Sequence, residues 1–215
     1  MIVIINRLAC ITLMLVIVSC VGVQGKEHVV DLLDLVEVIK VNPRIKLDIR
    51  YATENNFTKK IVYSSARCFL RKATMDKLSK VQEELELQGL GLKVFDGYRP
   101  RSVQYKFWEL CPNRLYVADP KKGSIHNRGT AVDLTLINLK TGVEFEMPSA
   151  FDDFSERAHR EYEKMTPVVA KNCKLLEDVM VKHGFTPKPW EWWHFDDADW
   201  QKYDLLDVPF EAIRG

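Results

Sequence analysis

The chain reads as an α+β domain built on one central antiparallel sheet flanked by helices. Three observations predict this. Segments with helical apolar spacing and segments with strict alternation are intermixed, without the regular strand–helix–strand order of a parallel sheet. No internal repeat or low-complexity linker interrupts residues 26–215, so the elements share one domain. With 215 residues and a hydrophobic fraction of 47%, the chain is long enough for one full core.

In chain order, residues 1–25 stand apart. Arg7 is their only charge, and 8–18 is an almost wholly apolar run, too short to span a bilayer comfortably. This is the build of a secretory signal peptide, with Val23-Gln24-Gly25 placing small residues before Lys26. Ile17-Val18-Ser19-Cys20 offers a second reading, a lipoprotein leader with Cys20 as the acylated end, and an uncleaved anchor is a third. Each of these places the domain of residues 26–215 outside the cytoplasm, in the periplasm or at the cell envelope. The membrane enters only through that lipid or leader.

Residues 38–48 suggest a strand interrupted by Pro43, leading into the polar turn 53–56. Apolar residues at 70, 78, 81 and 85 predict a helix over 70–87, ended by Gly89 and Gly91. Residues 92–95 form a short strand closed by Asp96-Gly97, and Pro100 starts a helix to Leu110. Thr130 to Asn138 alternates as a strand does, with Val132, Leu134 and Leu136 on one face and Ala131, Asp133 and Thr135 on the other. A helix over 171–183 buries Leu175, Leu176, Val179 and Met180 and stops at Gly184, and 190–195 is the last strand.

Two motifs carry chemistry. Ser124-Ile-His126-Asn-Arg-Gly129-Thr-Ala131-Val-Asp133 holds an imidazole and, seven residues on, a carboxylate. Glu191-Trp-Trp-His194 adds a second imidazole and a spare carboxylate. Two His and one Asp are a donor set that Zn²⁺ accepts, with a position left for water, and a free carboxylate can take that water's proton. An Asp at the centre of a strand is also costly to bury without a partner. The set is thus a candidate hydrolytic zinc centre, with His126, Asp133 and His194 on the metal and Glu191 as base. Spacing alone leaves it a candidate, because such sets also arise by chance. One difficulty is geometric: residues three apart on a regular strand face opposite sides. Glu191 and His194 therefore need a bend or bulge between them, or a helix, which Pro187, Pro189 and three tryptophans disfavour.

Other residues read more blandly from sequence alone. Arg99 is either a cation aimed at an oxyanion or a surface partner of Asp96. Ser124 and Asp152 are loop residues, and Trp190, Trp192 and Trp193 are core or pocket wall. No Gly-x-Ser-x-Gly turn supports a serine hydrolase. Without residues 1–25 the chain carries 30 basic and 30 acidic residues, so nothing in its charge points to nucleic acid. Cys68, Cys111 and Cys173 form no CxxC pair. In an oxidising compartment Cys68–Cys111 is the preferred disulfide, against three buried thiols. Nothing in the sequence sets the oligomeric state.

The combination SxHxxGxAxD…ExWH resembles the zinc D-alanyl-D-alanine dipeptidases of the vancomycin-resistance type. These belong to the zinc D,D-peptidases that share a fold with Hedgehog signalling domains. Residues 47–57, 96–100 and 151–157 also look like segments of that family, in the expected order between about residue 45 and residue 210. The resemblance implies a Hedgehog/D,D-peptidase-like α+β fold and one zinc ion per chain, on His126, Asp133 and His194. It implies Glu191 as base and Arg99 as the group that stabilises the oxyanion. Ser124 and Asp152 would hold the free amino end of a small dipeptide, with Tyr51 lining the same pocket, and the tandem Asp152-Asp153 leaves that carboxylate open by one position. The implied activity is hydrolysis of D-alanyl-D-alanine, used outside the cytoplasm in cell-wall peptide turnover or scavenging. The alternatives are a D,D- or L,D-carboxypeptidase that trims peptidoglycan stem peptides and an inactive zinc-stabilised binding module. The presence of Glu191 and Arg99 argues against the module.

Overall fold

The computed structural model describes residues 34–111 and 115–213. The leader and its alternatives at Gly25 and Cys20 lie outside these residues.

β1 (Leu35–Glu37) runs into a single helical turn, α1 (Val38–Val41), and β2 (Lys46–Leu47) has only two residues. The long strand expected over 38–48 is therefore not formed. Pro43 has no N–H for a ladder, and Val38 and Ile45 reach the core from a turn and a corner instead. β3 (Phe69–Arg71) pairs antiparallel with β1 as a separate two-stranded ribbon. It takes Leu70, which the helical spacing had counted, so the following helix α2 (Lys72–Glu86) starts later than expected. Met75, Leu78, Val81 and Leu85 are its buried apolar stripe.

Gly89 turns the chain at φ +73°, in the left-handed region, but Gly91 is no stop signal. It lies inside β4 (Leu90–Asp96), where a Cβ would meet Leu139 at 2.5 Å. α3 (Arg101–Leu110) follows Pro100, and β5 (Ala131–Asn138) follows the His126 turn. α4 (Pro167–Lys182) begins four residues before the expected start. Thr166 accepts from the Val169 N–H and Pro167 takes the first helical position, a start signal that the apolar spacing overshadowed. β6 (Phe185–Lys188), which was not expected, precedes β7 (Glu191–Asp197).

The main sheet runs β2-β4-β5-β7-β6. Every pairing is antiparallel except the short parallel β2–β4 contact, so the sheet is mixed at one edge. β5 is buried over seven successive residues because both sheet faces are covered. α2 packs on β4, and α4 packs on β5 and β6. Tyr51, Phe57, Phe107 and Phe151 form an aromatic cluster beside Phe95 and Trp193. Cys68, Cys111 and Cys173 are all free, so the expected Cys68–Cys111 disulfide is absent, and Cys68 is a buried thiol packed against Gly97. Among the described residues no helix is long and apolar enough to cross a membrane.

Two irregularities shape the sheet. Val94 pairs with Leu134 but Asp96 pairs with Asp133, so Phe95 is a bulge residue that turns Asp96 to the same face as Asp133. On β7, Phe195 pairs with Pro187 and Glu191 with the adjacent Lys188, so residues 192–194 arch out with no counterpart on β6, while His194 still pairs with Asp133 on β5.

Candidate active site

The chemistry sits on a cross-strand row. Asp96, Asp133 and His194 are register partners on β4, β5 and β7, so their side chains emerge side by side from one face. His126 joins them from a 3-10 turn, Ile125–Arg128. Ser124 caps that turn, its hydroxyl accepting from the His126 N–H, while Asn127 closes a capping box. Gly129 ends the turn at φ +75°, where a Cβ would press on Leu35 at 2.8 Å.

Three donor atoms converge. His126 Nε2 lies 3.2 Å from His194 Nδ1, Asp133 Oδ1 lies 2.9 Å from His194 Nδ1, and Asp133 Oδ1 lies 3.4 Å from His126 Nε2. Tetrahedral zinc with bonds of ~2.0–2.1 Å sets its ligand atoms ~3.3 Å apart, so the triad fits that ion. The outer nitrogens fix the tautomers. His126 Nδ1 faces the Gly97 carbonyl at 2.8 Å and His194 Nε2 faces Asp196 Oδ1 at 2.8 Å, which leaves both inner nitrogens as lone-pair donors. All three residues are buried, and they are a group able to hold a metal ion.

Their electrostatics agree with a charged centre. Burial opposes ionisation of Asp133, but the adjacent His126 and His194 imidazoles hold its carboxyl well below the usual range. Burial likewise opposes protonation of His194, yet Asp196 and Asp133 push it up to about 9 in the metal-free protein. A cation at this point, whether proton or metal, is what the surrounding carboxylates favour.

Glu191 is outside the triad and beside it, with Oε2 3.7 Å from His194 Nδ1 and 3.6 Å from Lys188 Nζ. The arch over 192–194 brings Glu191 and His194 to one site, which a regular strand forbids. Arg99 is 7% exposed and firmly held. Its Nε and Nη2 donate to Asp96 Oδ2 at 3.1 and 2.6 Å and its Nη1 donates to Gln104 at 2.9 Å. The pairing with Asp96 considered from sequence is real but buried, and it fixes a guanidinium on the pocket wall rather than at the surface.

On the same pocket wall Tyr51 donates its hydroxyl to Asp152 Oδ1 at 3.0 Å. Asp152 adopts φ +61°, a strained left-handed conformation that turns its carboxylate inward. Burial and then the Asp133 charge push that carboxyl up to about 8. Asp153 points elsewhere, accepting from the Ser155 N–H, so Asp152 is the member of the tandem in the pocket. The cavity is small, about 40 Å³, and is walled by Phe57, Phe107, Phe154 and Trp193. Trp192 turns away, donating to Ser149.

All eight residues singled out from sequence line this one cavity. Sequence reasoning missed Asn127, Asp196 and Lys188, and gave Asp96 only as a surface partner of Arg99. Asp196 was within reach, since i and i+2 share a strand face and a carboxylate two residues after a ligand His is a natural outer partner. Asp96 was hidden by the bulge, and Asn127, whose side chain donates to the Arg99 carbonyl, by the turn.

Two strands of the sheet and the turn that leads into β5 bring two imidazoles and a carboxylate to one point, with a free carboxylate alongside, which defines a single-metal hydrolytic centre of the peptidase kind. The family model described as D-ala-D-ala dipeptidase, Peptidase_M15, matches residues 31–211, and the chain belongs to that family. A D-alanyl-D-alanine dipeptidase of Escherichia coli K12 is 37% identical over 183 residues, covering 85% of this chain and 94% of its own. The D-alanyl-D-alanine dipeptidases of Enterococcus faecium and Enterococcus faecalis V583 are 34% and 33% identical, each over 77% of this chain and 88% of their own.

Proposed function

We propose that this chain is a zinc dipeptidase that hydrolyses D-alanyl-D-alanine outside the cytoplasm, on dipeptides released during cell-wall turnover. One observation carries the reading: one pocket is lined by a metal-donor triad, a free carboxylate beside it and the Tyr51-supported Asp152. Relatives similar over most of their length are named for this dipeptide, and the apolar leader supports export.

The parts then take roles. His126, Asp133 and His194 would hold a zinc ion, which would supply Lewis acidity at the scissile carbonyl and for the attacking water. Glu191 accepts the proton of that water and returns it to the leaving amine. The Arg99 guanidinium, held by Asp96 in a dry wall, provides a fixed positive charge for the developing oxyanion. Asp152, once ionised, pairs with the substrate ammonium, and Ser124 borders the same space. Phe57, Phe107 and Phe154 exclude water and limit side-chain size. Because the amine end is closed by a carboxylate, a free N-terminus is required, which separates this reaction from trimming of acylated stem peptides.

The test compares D-Ala-D-Ala with N-acetyl-D-Ala-D-Ala on the zinc-loaded domain. Hydrolysis of the free dipeptide is expected, and preference for the acylated one would overturn the reading. Glu191→Ala should lower kcat by roughly 10²–10⁴-fold with zinc still bound, measured by kinetics beside metal analysis. His126→Ala should lower the zinc content itself.

A further inference from the structure

The arch of β7 poses a problem of its own. Residues 192–194 have no counterparts on β6, so the backbone around Glu191 and His194 loses regular ladder partners just where two functional side chains must be held. One side chain fills the gap. Arg160 Nε donates to the Lys188 carbonyl at 2.9 Å, and its Nη2 donates to the His194 carbonyl at 3.0 Å and the Glu191 carbonyl at 3.4 Å. Its own backbone N–H donates to the Pro189 carbonyl at 2.9 Å. The guanidinium lies over the Phe195 ring at 4.4 Å from the centroid, and Nη1 reaches Glu177 on α4 at 3.2 Å. Its side chain is 8% exposed.

We infer that Arg160 is the positioning residue that converts strand β7 into a support for both Glu191 and His194. A planar fork with five donors can span carbonyls on both sides of an arch, and an ammonium cannot. Arg160 contacts none of the three donor atoms and does not line the pocket. It acts through the backbone of the two residues that do, and so sets the distance from base to metal ligand. The inference rests on the roles given above to Glu191 and His194.

Arg160→Lys keeps the charge and a reach to Glu177 but loses the fork. It is expected to weaken zinc binding, read by chelator competition, by about 10–100-fold, the range typical of an outer partner of a metal ligand. It is also expected to lower kcat more than it raises KM. In Arg160→Ala, added methylguanidinium should restore part of the zinc affinity and methylammonium should not, because the cavity bordered by Arg160, Cys173 and Glu177 admits a small cation. Parent-like zinc affinity in folded Arg160→Lys overturns the inference, as does equal rescue by the two cations. Should the parent fail to hydrolyse D-Ala-D-Ala, the proposed function falls, and the chelator competition still decides the role of Arg160.

Discussion

Asp152 carries one distinct part of the pocket's pH behaviour. Its carboxyl is pushed up to about 8, first by burial and then by the Asp133 charge, against an ordinary value near 4. The folded protein therefore binds a proton that the unfolded chain has released across that window. The sign follows: this group makes stability fall as pH rises from about 4 to about 8. In metal-free protein, urea midpoints across that range should decline more steeply for the parent than for Asp152→Asn, and equal slopes would show that Asp152 does not titrate there. A carboxylate tuned in this way is suited to an incoming ammonium, whose charge favours the ionised form. At this scale the sequence was most legible for residues that a type and a spacing pick out, His126, Asp133, Glu191 and His194, which the fold gathers at one pocket. Arg99 and Asp152 looked ordinary because their meaning depends on burial, and only the resemblance raised them.

The two irregular strands do more than the regular ones. The bulge at Phe95 turns Asp96 toward Arg99 and His126, and Gly97 then carries the carbonyl that orients His126. Gly97 has no room for a side chain: a Cβ would lie 2.6 Å from Cys68 Sγ and 2.9 Å from the Phe69 carbonyl. Gly97→Ala must move β3 or β4, and with it the His126 contact. We expect a loss of roughly 1–3 kcal/mol in stability, seen by urea denaturation, together with weaker zinc binding. A variant with parent stability and parent zinc affinity would contradict this close-packing account. Bulges were the part of the fold that sequence could only demand, not locate. The i, i+3 spacing of Glu191 and His194 required a distortion, yet its position depends on Pro187 and Lys188 across the ladder. The strand expected over 38–48 shrank to Lys46–Leu47 on the edge of β4, because Pro43 has no N–H to give a ladder.

For the molecule as a whole, the metal is a ligand of the native state only. Its three donors come from β5, β7 and the turn between α3 and β5, a set assembled by folding. Free zinc at 100 times its Kd should stabilise the domain by about 2.7 kcal/mol. For a domain of this size that is a rise in Tm of roughly 5–10 °C, to be read by calorimetry with and without a chelator. No change would mean that the triad does not hold the ion. The α+β class, the single core and six of the main elements were legible because long periodic segments outweigh local exceptions. The short parallel edge, β6 and the β1–β3 ribbon were not, because strands of two to four residues are made by their neighbours.

The cross-strand row has one more consequence. Asp133 and His194 sit on paired strands of the sheet, whereas Phe57, Asp152 and Phe154 lie on connections between elements and Tyr51 on a short 3-10 turn. Replacing those connections redraws what the pocket admits without disturbing what cuts. The same sheet can thus be handed from one peptide to another, with selection or an engineer rewriting only the lock around an unchanged blade.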